Sequence, residues 1–177
     1  THVLYTMFKE RHDVSILMGK KTHNVDDEQY IYLPNEKTLS SSENYLFAKT
    51  IIEENKIDVI INQDGITPNS SIFIQNVARG NAKLITVLHN NLESIYGLTV
   101  RIPSHLLIKI PFQLLSRFDV VFNKFFRWKY RIYWSIVCKR SDVLLLLDDS
   151  LKQSTMNFIG LSSQGCKICS INNPITL

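Results

Sequence analysis

Ala82-Lys-Leu-Ile-Thr-Val-Leu-His-Asn-Asn91 decides how the chain is read. Its five central residues, Leu84–Leu88, are a continuous run of apolar and β-branched side chains, with no polar alternation. Such a run suits a strand buried on both faces, as in a parallel sheet covered by helices. The run then stops at an imidazole and two amides, a polar tip on an apolar stem. Ile57-Asp-Val-Ile-Ile-Asn62 and Asp142-Val-Leu-Leu-Leu-Leu147 repeat the pattern, each closing on polar residues.

Helical spacing fills the intervals between these runs. Residues 2–11 carry Val3, Leu4, Met7 and Phe8 at helical spacing, and a short strand over 14–18 ends at Gly19. A second strand over 30–33 stops at Pro34. Ser40 and Glu43 fit a capping box for a helix to about Asn55. Pro68 opens the next helix, which Gly80 ends. Residues 91–140 are expected to hold two or more helices, broken at Pro103 and Pro111. Ser150 and Gln153 form a second capping box, for a helix to about Phe158, and Lys167–Ile171 is the last strand. The expectation is a single α/β domain over 1–177, a doubly wound and mostly parallel sheet of Rossmann-like type. No repeat or low-complexity segment interrupts it.

Composition supports a packed domain. The 177 residues are 45% hydrophobic and 20% charged, with 6 Gly and 5 Pro. That excludes a disordered tail, a collagen-like repeat and a disulfide-stapled miniature. Mean hydropathy is −0.03, and no apolar run approaches the ~20 residues that span a bilayer. The start, Thr-His-Val-Leu, has neither an initiator Met nor a signal-peptide layout, so a piece of a longer polypeptide is expected. Three cysteines (138, 166, 169) are an odd number and point to a reducing, cytoplasmic compartment. Cys166 and Cys169 are a lone C-x-x-C. Three residues apart on a strand, they would face opposite ways, which suits a shared metal poorly.

Charge is unevenly placed. The net charge is +4, yet residues 101–140 hold nine basic residues against Asp119 alone, leaving −4 for the remainder. The same stretch holds Phe112, Phe118, Phe122, Phe125, Phe126, Trp128, Tyr130, Tyr133 and Trp134. Cations among aromatic rings suit an anionic membrane surface. They would also suit single-stranded nucleic acid, or a plain helix with core rings and a solvated basic face.

In doubly wound sheets, ligands bind beyond the carboxyl ends of the strands. Here those ends are Asn62-Gln63-Asp64-Gly65, His89-Asn90-Asn91, Asp148-Asp149-Ser150 and Asn172-Asn173. Amides, hydroxyls and carboxylates at fixed angles recognise a polyhydroxylated ligand such as a sugar. His89 is the candidate for proton exchange with a hydroxyl near neutral pH. Asn62, Gln63, Asp64, Asn90 and Ser150 are candidates for substrate binding. Competing local roles exist: a capping His, an Asp-Gly turn at 64–65, helix capping by Ser150 and Gln153. The Asp148/Asp149 pair reads either as an acid–base dyad or as N-terminal helix charge. The G-x-x-x-x-G-K-[ST], G-x-G-x-x-G, G-x-S-x-G and H-E-x-x-H patterns are all absent from the sequence.

Five segments, in order, resemble the N-terminal domain of family-four, GT-B type glycosyltransferases, the retaining enzymes that build bacterial surface polysaccharides. They are Arg11–Gly19, Ile57–Gln63, Ala82–Asn90, Cys138–Ser150 and Lys167–Pro174. The resemblance implies one half of a two-domain enzyme. This half would bind the acceptor, a lipid-linked glycan, while a C-terminal domain not in this chain would bind the nucleotide-sugar donor without a metal. It implies that His89 lies in the cleft near the transferred sugar, with Asn62, Gln63, Asp64 and Ser150 lining it. It implies too that a first strand and a Gly-rich loop are missing, so that this piece alone is inactive. Residues 101–140 would then lean on the inner face of the cell membrane. A non-catalytic module binding a glycan or nucleotide is the alternative, and a sugar-nucleotide epimerase of the same architecture is a third.

Overall fold

A computed structural model gives the fold and describes residues 2–19, 30–63, 73–74, 76–89, 112–160 and 167–171. Among these the elements run α1 (His2–Phe8), β1 (Ile16–Met18), β2 (Tyr30–Tyr32), α2 (Ser42–Glu54), β3 (Val59–Asn62), β4 (Lys83–Leu88), α3 (Phe112–Arg140), β5 (Val143–Leu146), α4 (Leu151–Ile159) and β6 (Lys167–Ser170). The class is α/β, as the apolar runs imply. Every ladder is parallel, and the arrangement is compatible with a Rossmann-like fold.

The strands form two sheets rather than the single one expected. β1 pairs with β2, Ile16 opposite Tyr30. β3, β4, β5 and β6 lie side by side in that order. Asn62 stands opposite Thr86, Thr86 opposite Leu144, and Leu144 opposite Ile168. No ladder joins the two sheets among the described residues. β3 also departs from the expected buried run. It ends the row of four, and its burial alternates, with Val59 and Ile61 turned to the surface. An apolar run alone does not tell an end strand from a central one.

Within the larger sheet each strand neighbours its predecessor. The two described crossover helices between β4, β5 and β6, α3 and α4, lie on one face of this sheet. The core bears this out. Leu88, Leu144 and Leu146 from β4 and β5 pack with Trp134, Val137 and Cys138 of α3 and with Phe158 and Ile159 of α4. Tyr130, Leu151 and Ile168 close the cluster.

Helix ends follow local chemistry. α2 is capped by Ser41 rather than Ser40: the Ser41 side chain accepts from the Asn44 amide. Asn44 is fully buried, and its side-chain amide donates to the carbonyls of Asn35, Thr38 and Leu39. It fastens the β2–α2 connection to the helix. α3 is one 29-residue helix starting directly after Pro111, so the expected break at 111 is a start. Pro103 and the helix start at Pro68 lie outside the described residues. α4 ends at Gly160 in the left-handed region (φ 70°), where a Cβ would meet the Arg131 guanidinium. That guanidinium donates to the Ile159 carbonyl.

The amino edge of the sheet is clamped by charge. Asp142, just before β5, accepts from the Leu84 amide at 2.9 Å and from Arg79 at 2.7 Å, with Lys83 at 3.4 Å. Arg79 also donates to the Arg140 carbonyl, and Arg140 to the Val77 carbonyl. The Ser141 hydroxyl donates to the Val137 carbonyl, so the Thr86 hydroxyl donates to Ser141 across 2.7 Å. The Leu84 amide foremost, then the Arg79 guanidinium, hold the Asp142 carboxyl well below the usual carboxylate range.

Leu144→Ala empties a fully buried site and should cost about 2–5 kcal/mol in urea unfolding. Val59→Ala, at an exposed site, should stay within roughly 0.5 kcal/mol. A lowered folded-state pKa adds stability that is present above the unfolded value and lost as pH falls toward the folded one. Asp142→Asn should therefore lower the urea midpoint at pH 7, with the gap to the parent chain narrowing as pH drops below about 4. A gap that stays constant down to pH 2 would remove Asp142 from the clamp.

Candidate functional site

A parallel register has a geometric consequence. All four strands of the larger sheet point the same way, so their carboxyl ends share one edge, opposite the Asp142 clamp. Asn62 and Gln63 end β3, His89 follows β4, Leu147 and Asp148 follow β5, and Ser170 ends β6. Neighbouring strands are ~4.8 Å apart, so four tips make a ledge roughly 15 Å long, wider than one sugar ring.

His89 is exposed at this edge. The buried Leu88 precedes it, facing α3. The imidazole therefore stands at the surface, on a stem fixed in the core. It is not part of the buried apolar cluster. Asn62, on the adjoining strand, is buried, and Gln63 is half-buried. Asn62 aligns with Thr86 and therefore with the face that α3 covers. Asp64, Asn90 and Asn91, and the Asn172-Asn173 tip after β6, lie outside the described residues, as does Cys166.

The β5 tip differs from its sequence reading. Ser150 has helical dihedrals (φ −59°, ψ −24°), and its side chain makes no capping bond to α4. The Ser150–Gln153 capping box is therefore not formed. Asp148 takes the local donor instead: its Oδ1 accepts from the Ser150 amide at 2.8 Å. Gln153 bonds forward along the helix to Asn157. The Ser150 amide first, and then its hydroxyl, lower the Asp148 pKa, so this carboxyl is ionised at neutral pH. Ser150 itself is exposed beside the strand tips.

Asp149 has a separate partner, the Ser170 hydroxyl, which donates to its Oδ1 at 2.7 Å. That bond ties the tip of β5 to the end of β6. The two neighbouring carboxylates thus have different local partners, the Ser150 amide for Asp148 and the Ser170 hydroxyl for Asp149. Ser170 is the polar group at this edge that sequence reading missed. Its only signal was a hydroxyl residue at the end of an apolar strand.

The edge offers an imidazole, an ionised carboxylate, hydroxyls and amides, which can exchange hydrogen bonds with a polyol and pass a proton to or from it. Among the described residues no three His, Cys, Asp or Glu side chains cluster as metal ligands would, and no helix is long and apolar enough to cross a membrane. Comparison with known protein families, with curated proteins and with solved structures finds no match.

Proposed function

We propose that the chain is the acceptor-binding half of a GT-B type glycosyltransferase of family-four kind, acting in surface-polysaccharide synthesis. A second domain would bind the nucleotide-sugar donor, without a metal. The acceptor glycan would lie along the carboxyl edge, with the His89 imidazole donating to an oxygen of the transferred sugar. Asn62, Gln63, Asp64, Asn90 and Ser150 would orient sugar hydroxyls. Asp148 and Asp149 would shape the β5 tip.

One observation carries this reading: the surface imidazole stands at the carboxyl edge of parallel strands, between the Asn62–Gln63 tip and the Asp148–Ser150 tip. That is where open α/β sheets bind ligands. The five ordered sequence segments supply the choice of reaction class.

The reading frame provides the first test. It should continue past Leu177 into a second domain of ~150–200 residues, with a Gly-rich loop and paired glutamates. A stop codon there would favour a module that binds a glycan or nucleotide without reaction. In the complete enzyme, His89→Ala should lower sugar transfer about 10²-fold, the usual effect of losing one donor to a transition-state oxygen. Nucleotide-sugar affinity should change less than about twofold, because the donor rests on the other domain. Unchanged turnover would remove His89 from the mechanism.

A further inference from the structure

Among the described residues of helix α3, two apolar stripes face different ways, and one of them packs in the core cluster. Tyr130, Trp134, Val137 and Cys138 turn inward. On another side Phe125, Trp128 and Ile132 recur at spacings of three and four, which brings them onto one face. They are 53%, 58% and 40% exposed. The Phe125 and Trp128 rings lie 5.9 Å apart. Beyond Ile132 the stripe opens into a shallow depression of about 410 Å³, lined by Trp128, Arg131, Ile132, Ser135, Ile136 and Lys139.

Charge brackets these rings. Lys124 and Lys139 are exposed at either end of the stripe. The whole of α3 carries seven basic residues against Asp119 alone. We propose that this stripe docks on the surface of a bilayer rich in anionic lipid, with α3 lying in the interface plane. The Phe125, Trp128 and Ile132 side chains would enter the headgroup boundary. The lysine stems would run beside them with their ammonium groups at the phosphates. Two features favour lipid over an acidic protein. An exposed Trp among cations is the side-chain set of membrane interfaces, and the depression beside it is lined by Arg131 and Lys139 next to apolar side chains, cations set where lipid phosphates would lie. The proposal rests on α3 alone and holds whether or not the strand tips transfer sugar.

The test is sedimentation of the 177-residue chain with phosphatidylglycerol-containing vesicles and with pure phosphatidylcholine vesicles. The chain should pellet with the first and not the second, and less as salt rises. Trp128 emission should shift to the blue on binding; Trp134, the other tryptophan, is already buried. Reversing Lys124 and Lys139 together (Lys124→Glu, Lys139→Glu) should weaken partition about tenfold or more. Trp128→Ser should weaken it and abolish the blue shift. Lys152→Glu, on exposed α4 surface, should change nothing, and unaltered melting temperatures for all the variants show that they fold. Equal recovery in both supernatants overturns the proposal, as does equal binding to neutral vesicles. So does a loss with Lys152→Glu as large as with the α3 variants. A concentration-dependent dimer that Trp128→Ser abolishes, with no vesicle binding, would assign the stripe to a second copy and also overturn it.

Discussion

The carboxylate of Asp142 holds two neighbouring strands to one register, and the rest of the larger sheet depends on that. It takes the Leu84 amide of β4 on one oxygen while its own amide donates to the Leu84 carbonyl at 2.8 Å. Because side chains alternate along a strand, a slip of one residue would turn Leu144 and Leu146 away from α3. It would also part Thr86 from Ser141. The Asp142 contacts at the amino edge thus fit the same register that brings Leu144 and Leu146 into the core.

The molecule separates these tasks along the strands. Charge at the amino edge is spent on structure: Arg79, Arg140 and Asp142 are joined to backbone and to each other. Partial burial first and the Arg79 charge second lower the Arg140 pKa, a cost accepted for holding the end of α3 against Val77. Between the edges lies the apolar cluster of Leu88, Leu144, Leu146, Trp134 and Phe158. The carboxyl edge holds polar groups that the core does not need. There the Asp149–Ser170 bond steadies β6 beside β5, leaving Asp148, Ser150 and His89 at the surface.

Legibility followed the range of the forces involved. β4 and β5 were readable because each is an uninterrupted apolar stretch, Leu84–Leu88 and Val143–Leu147, and a polar residue closes it where the chain meets water. Helix capping was half readable. Ser40 and Ser41 are equivalent by composition, and only the buried Asn44, bonded back to Asn35, picks Ser41. At Ser150 the box pattern lost because Asp148, two residues earlier, takes the same amide. What long-range packing decides stayed hidden. The exposure of Val59 and Ile61 depends on which strand lies alongside, and Asp149 meets Ser170 across 21 residues of chain. The second stripe of α3 was concealed too, since a run crowded with rings does not say which of them the core takes. For His89 the sequence showed a strand end, but not that its side chain is exposed there.

Sugar chemistry at this molecule requires the carboxyl edge to be a ligand surface. The most direct measurement is imidazole NMR of the 177-residue chain, titrated with oligosaccharides covering common hexoses, 6-deoxyhexoses and N-acetylhexosamines. At least one glycan should move the His89 resonance saturably, with shifts at Gln63, Ser150 and Ser170, while His12 beside α1 stays still. A folded chain in which no glycan moves His89, or in which the shifts gather around Arg79 and Asp142, would contradict it.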